Sequence, residues 1–219
     1  MDFQVALMHR RKFPRIGHTI DSKSMQADDF VVNPNFLHKN VVITEKLDGE
    51  NTVMGNRYIH ARSLDSGGAA WRTMVAAIHA KISSHIPETM RICGENMQGK
   101  HSIEYELDYP FYVFQVTDKQ KVLSWDDTLV ICECLELPAV PEIYRGEYHP
   151  DLIKLAYSLY QNNSLNDEIE GYVIRNVDEF NESDFDKNIA KWVRPNHVQT
   201  DEHWTKNWTP NKIRNKSCY

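Results

Sequence analysis

Val41-Val42-Ile43-Thr44-Glu45-Lys46-Leu47-Asp48-Gly49-Glu50-Asn51 is the stretch on which the reading of this chain turns. An apolar, β-branched run leads straight into a lysine, and Asp48-Gly49 forces a turn before a second extended segment, Thr52 to Met54. Lys46 therefore sits where a strand ends. Two readings are open at this point. In one, Lys46 is buried and held by the carboxylates of Glu45, Asp48 and Glu50, and it becomes a nucleophile when other cations lower its pKa from about 10.4. In the other, the stretch is a β-hairpin and Lys46 is a solvated edge charge.

Downstream, Asn51 to Gly55 and Arg57 to Ala61 form a hairpin around Asn56, a residue that tolerates the left-handed region of a tight turn. Arg62 to Gly68 reads as a loop that brings Arg62 to a strand end. Apolar residues at Trp71, Met74, Val75, Ile78, Ile82 and Ile86 mark one face of a helix that Pro87 stops. Met90 to Cys93 is a short strand delivering Gly94-Glu95-Asn96. Phe111 to Val116 is a buried strand, answered by Lys121 to Ser124 across Asp118-Lys119-Gln120. Trp125-Asp126-Asp127 caps a helix over Thr128 to Leu137, and Pro138 to Tyr144 returns as an extended piece. A second amphipathic helix runs from Asp151 to Tyr160 with Leu152, Leu155, Ala156 and Leu159 on its apolar side. Glu170 to Arg175 and Ile189 to Val193 are the last strands. Upstream, Lys12 to Asn35 shows no sustained period and reads as loops. Strands interleaved with a few helices make an α+β fold.

At 219 residues the chain fits one domain with a sizeable core. No apolar run approaches the roughly 18 residues of a membrane span and no secretory signal leads the chain, so a cytoplasmic protein with no membrane partner is expected. Cys93, Cys132, Cys134 and Cys218 lack the paired spacing of a zinc site and read as free thiols. A net charge of -6 excludes a protein that coats nucleic acid through bulk positive charge. The dense basic regions, His9 to Arg15 and Lys206 to Lys216, read either as solvated termini or as phosphate tracks.

The polar residues at strand ends form a set: Glu45 and Lys46, Arg62, Glu95, Glu170 and Lys191. In this order they match the covalent nucleotidyltransferase superfamily of ATP-dependent ligases and capping enzymes. The local strings resemble RNA ligases of the phage RNA ligase 2 type over nearly the whole chain. Thr44 to Asn51 is similar to the nucleophile motif, Glu170-Gly171-Tyr172-Val173-Ile174-Arg175 to the E-G-x-V motif, and Ala190-Lys191-Trp192-Val193-Arg194 to the closing lysine motif. Phe111 to Val116 resembles the strand whose phenylalanine stacks on adenine, and Cys93-Gly94-Glu95 the ribose-side glutamate. Lys12 to Arg15 and Asn196 to Thr200 also have the character of this family. Two positions depart from it: Val193 stands where a second lysine is common, with Arg194 beside it as a substitute, and Gln115 stands where an aspartate is common.

The resemblance implies mainly antiparallel sheets with flanking helices, as in the ligase and capping-enzyme adenylyltransferase domain, and a monomer acting on RNA ends, nicked duplexes included. Lys46 would take AMP from ATP, with Asp48 orienting it and Lys191 stabilising phosphate charge. AMP would pass to a 5′-phosphate, and a 3′-hydroxyl would displace it. Thr44, Glu45, Leu47, Asn51, Arg62, Glu95, Phe114, Glu170, Val173, Lys191 and Arg194 would join Lys46 in holding the nucleotide. Within that set Glu45 would accept from the adenine amino group, Phe114 and Val173 would cover the two ring faces, and Arg62 would hold a phosphate. Mg²⁺ or Mn²⁺ would sit on Glu170, with Glu95 or Asp48 as further carboxylates. The competing readings are a DNA ligase or capping-type guanylyltransferase, which normally carry added domains that the short stretch after Arg194 leaves no room for, and a non-catalytic nucleotide- or RNA-binding module.

Overall fold

The computed structural model describes residues 9–25, 29–36, 38–164, 168–195, 197 and 208–214. Along the chain run β1 (Asn40–Lys46), β2 (Glu50–Gly55), β3 (Tyr58–Ala61), α1 (Thr73–Ile82), β4 (Met90–Asn96), β5 (Glu106–Leu107), β6 (Phe111–Asp118) and β7 (Lys121–Val122). They are followed by α2 (Trp125–Cys134), β8 (Glu142–Glu147), α3 (Pro150–Asn163), β9 (Gly171–Asn176), β10 (Phe180–Asn181), α4 (Phe185–Asn188), β11 (Ile189–Val193) and β12 (Lys212–Ile213). Two antiparallel sheets result, ordered β11-β9-β1-β8 and β10-β7-β6-β4-β2-β3. A short parallel pair, β12 with β5, stands apart. The architecture is α+β, as expected.

The β-branched run makes β1 an inner strand, buried from Val41 to Glu45. The Asp48-Gly49 turn does not close a hairpin, because β1 and β2 belong to different sheets. It carries the chain from one sheet to the other, and Gly49 is required there: a Cβ would lie 2.6 Å from Asn96 O and 2.7 Å from Met97 Sδ. A second crossing ties the sheets together. Val113 N donates to Pro138 O, Val140 N to Val113 O, and Glu45 N to Pro141 O, so residues 138–141 bind β6 of one sheet and β1 of the other.

Several local expectations need correction. The helix expected over 71–86 is α-helical only from Thr73 to Ile82, with 3-10 turns at Ala70–Arg72 and Ser83–His85. The cap of α2 is Ser124, whose hydroxyl accepts from Asp127 N, and Trp125 already lies inside the helix. The extended piece forms its strand at Glu142–Glu147, later than expected. Positive φ among the described residues occurs at His38, Lys119 and Glu136 and not at Asn56, whose side-chain amide instead donates to Ser83 O and Ile86 O. The buried side of α3 also differs from the expected one. Leu152, Leu155 and Leu159 are 47%, 55% and 55% exposed, while Ile153 and Tyr157 face the core with Val41, Ile43 and Tyr172. Cys93 and Cys132 are buried free thiols and Cys134 is an exposed one; Cys218 lies outside the described residues. Among the described residues no helix is long and apolar enough to cross a membrane.

Candidate active site

Strand register decides which side chains meet. Lys191 pairs with Val173 and Val173 with Thr44, so these three share one sheet face, and Lys46 joins them two residues along from Thr44. This face opens on a cavity of about 600 Å³ between the sheets. Thr44, Glu45, Lys46, Leu47 and Asn51 line it from the nucleophile motif, Glu170, Val173 and Lys191 from the two closing motifs, Glu95 and Phe114 from the second sheet, and Arg62 from just past the end of β3. Asp48 and Arg194 are the two expected residues that do not line it. Arg194 donates instead to Glu168 at 2.6 Å.

The carboxylates around Lys46 are not distributed as the local sequence suggested. Lys46 Nζ donates to Glu170 Oε2 at 2.6 Å, a partner 124 residues away. Glu50 is taken by Arg72, whose Nε and Nη2 reach its two oxygens at 2.7 and 2.6 Å. Glu45 follows the pleat of Val41 and Ile43 toward α3, where Tyr160 Oη donates to its Oε2 at 2.6 Å. Its Oε1 is buried with no hydrogen-bond partner. Burial works to lower the pKa of Lys46, but Glu170, Glu95 and Asp48 outweigh it and the net shift is upward. The expected depression is therefore absent. Glu170 itself is raised, by burial first and against the opposing pull of Lys46. Glu95 is pushed up to about 8, again by burial first.

Lys191, unlike Lys46, has its pKa lowered, by burial and then by Lys46. The N-terminal segment holds it. Lys191 N donates to Gly17 O, Thr19 N to Lys191 O, and Lys191 Nζ reaches Asp29 Oδ1 at 3.1 Å. His18 Nε2 lies 3.1 Å from the other Asp29 oxygen. Phe13 packs edge-on against Phe114 with centroids 5.1 Å apart. Phe114 owes its direction to a bulge: Cys93 pairs with Gln115 and Gly94 with Val113, leaving Phe114 as the extra residue on β6. His18, Asp29 and Arg175 were not picked out from the sequence. Arg175 is buried in the wall with its guanidinium 5.5 Å from the Trp125 ring centroid, and burial brings it down to about 10. Its place in the E-G-x-V strand, facing the same way as Val173, was the available signal.

Asp48 lies below the cavity floor. Its Oδ2 accepts from Ser102 N at 2.9 Å, Ser102 Oγ at 2.5 Å and Ile103 N at 3.1 Å, and its backbone N donates to Tyr105 Oη at 3.1 Å. Burial favours the neutral acid, but Ser102, His101 and Lys46 together hold Asp48 below the usual carboxylate range. Asp48, Glu170 and His197 each offer a ligand atom within 4.8 Å of the others. His197 is buried, both ring nitrogens lack a hydrogen-bond partner, and its Nε2 lies 3.5 Å from Glu170 Oε1. The two carboxylates suit a hard divalent cation such as Mn²⁺ or Mg²⁺, and the imidazole beside them suits Mn²⁺ better than Mg²⁺, which prefers oxygen ligands. Of the tail stretch Asn196 to Thr200, His197 alone is among the described residues.

A profile of the RNA ligase family matches residues 39–193. The chain belongs to the RNA ligase family. Comparison of the sequence with curated proteins gave no match. Among solved structures, an archaeal ATP-dependent RNA ligase is similar at TM-score 0.55 and 15% identity, over 84% of this chain and 48% of that one. A putative ATP-dependent DNA ligase from Aquifex aeolicus is similar at TM-score 0.55 and 20% identity, over 83% and 49%. A variant of the Naegleria gruberi RNA ligase, solved with ATP and Mn, is similar at TM-score 0.50 and 16% identity, over 84% and 62%. The chain thus spans about half to three-fifths of the length of these structures, and at such identities they share its fold.

Proposed function

We propose that this RNA ligase family member is the nucleotidyltransferase core of an ATP-dependent RNA ligase, joining 3′-hydroxyl and 5′-phosphate RNA ends as a monomer. The observation that carries the reading is Lys46 held at 2.6 Å by Glu170 at a cavity whose sheet presents Lys191 on the same face. Because its pKa is raised, Lys46 rests as an ammonium and must lose a proton before attack. Glu170, a carboxylate in contact with Nζ, is placed to receive it. The Lys46 nitrogen then bonds to the α-phosphorus of ATP as the bond to the pyrophosphate oxygen breaks. Next, a 5′-phosphate oxygen takes the AMP as the phosphorus–nitrogen bond breaks, and attack by a 3′-hydroxyl on that 5′-phosphate releases AMP.

Lys191 is close enough to Lys46 for the Lys46 charge to help lower its pKa, and it would stabilise phosphate charge in both transfers. Phe114 and Val173 would contact the base, with Glu45 beside it, while Glu95 would face the ribose and Arg62 a phosphate. A divalent cation on Asp48, Glu170 and His197 would neutralise charge on the phosphates. The Naegleria enzyme solved with ATP and Mn supports that pairing of nucleotide and ion.

The test is incubation with α-labelled ATP or GTP followed by denaturing electrophoresis. ATP should leave a covalent label that Lys46→Ala abolishes. Glu170→Ala and Lys191→Ala should each slow labelling by roughly a hundredfold or more, and Arg194→Ala by less, since its guanidinium faces Glu168. Label persisting on the alanine variant at normal yield would refute the assignment of the nucleophile. Sealing assays on 5′-phosphate RNA and DNA separate the RNA ligase from a DNA ligase.

A further inference from the structure

The chain beyond the closing lysine motif reaches back beneath the nucleophile motif. Asn211, 6% exposed, accepts from Tyr105 N at 3.0 Å and donates from its amide to Met97 O at 2.9 Å and Gly99 O at 3.3 Å. The backbone repeats the grip, with Asn211 N on Gln98 O and Lys212 N on Tyr105 O, both at 3.1 Å. Ile213 is buried in one cluster with Leu47, Met97 and Tyr105. The loop held in this way is the one that carries Ser102, Ile103 and Tyr105, the residues bonded to Asp48. A side chain fixed by three donors in a buried setting keeps its place only while those donors keep theirs.

We propose that Asn211 is a positioning residue for Asp48: by clamping the Met97–Tyr105 loop from below, it sets where the Asp48 carboxylate stands beneath Lys46. The clamp rests on geometry alone, and what Asp48 then contributes rests on the ligase reading. The sequence signal was hidden, because Asn211 lies in a tail with no period and belongs to no recognised motif.

Two measurements test it. The first is amide hydrogen exchange on Asn211→Ala, with no nucleotide present. Faster exchange is expected at Asp48, Ser102 and Ile103 with no comparable change in the first-sheet strands β9 and β11. Loosening confined to residues 97–101, with the Asp48 amide unchanged, overturns the proposal. The second is single-turnover adenylation at saturating ATP, made in wild-type and Asp48→Asn backgrounds. Asn211→Ala should slow the wild type about tenfold at nearly unchanged ATP affinity, and should add little once Asp48 is already altered. Equal losses in both backgrounds would mean that Asn211 acts elsewhere. Should the alanine variant fail to fold, Asn211→Asp keeps the volume and the acceptor for the Tyr105 amide while losing both amide donors, and the same outcomes apply. If the wild type forms no adenylate at all, the ligase reading falls and the exchange experiment still decides the clamp.

Discussion

Glu95 shows how burial at a single residue reaches into the behaviour of the whole protein. Its carboxyl is pushed up to about 8 from an ordinary value of 4.5, so between those two pH values the folded protein keeps a proton that the unfolded chain has released. Stability must therefore fall as pH rises through that window. Glu95→Gln removes its share of the dependence, leaving that of Glu170, which is also raised. The variant should melt a few degrees above the wild type near about pH 9, with the gap narrowing toward about pH 5. Parallel melting curves across the range would show that Glu95 ionises freely within the fold. The same residue marks what sequence could and could not disclose at this scale. Lys46, Glu95, Glu170 and Lys191 stand out as charges set in apolar runs. Their partners do not: the pleat of β1 sends Glu45 away to Tyr160, the crossing to the other sheet takes Glu50 to Arg72, and the carboxylate that meets Lys46 comes from residue 170.

Elements were legible where a period was sustained and hidden where it was not. β1, β4, β6, β9 and β11 follow from their β-branched and aromatic runs. The stripe of α3 is ambiguous in sequence because the helix carries two apolar sides, Leu152-Leu155-Leu159 and Ile153-Tyr157-Tyr160, and only contact with the sheet chooses between them. Strands of two residues such as β5 and β12 are too short to carry a pattern. The bulge at Phe114 depends on a partner strand and leaves no mark in the run itself. Between β9 and β11 the fit is close enough to test. A Cβ on Gly171 would lie 2.0 Å from Trp192 O, so Gly171→Ala must spread the two strands and displace Lys191 from the face it shares with Val173. A loss of roughly a hundredfold in adenylation rate is expected, larger than the fall in ATP affinity. Labelling at the wild-type rate would show that the strands absorb the methyl group.

For the molecule as a whole, the described parts of both ends of the chain are bound into the fold. Lys212 lies 3.5 Å from Glu104, and Arg214 lies within 3.1 Å of Glu106 and 3.7 Å of Asp108, so the described part of the tail is already paired with acids. At the other end Phe13 rests on Phe114 and Phe185. Removing residues 1–15, or everything after Pro210, should therefore weaken lysyl-adenylate formation with ATP alone as well as sealing of a pre-adenylated strand. A loss confined to sealing would return the ends to nucleic-acid grip. The order of strands in the two sheets has a further bearing, on how the protein is made. The second sheet draws almost all its strands from residues 50–122, whereas β1 must wait for β8 and β9, a hundred and more residues later in the chain. Closing so long a loop is slow compared with pairing nearby strands. On the ribosome and in refolding alike, the strand that bears Lys46 should acquire its neighbours after β2, β4 and β6 have paired, and pulse-labelled exchange would show their amides protected first; protection arriving first in β1 and β9 would reverse that order. Until that late pairing Lys46 would lack the Glu170 contact, and on the ligase reading a nascent chain would not yet take AMP from ATP.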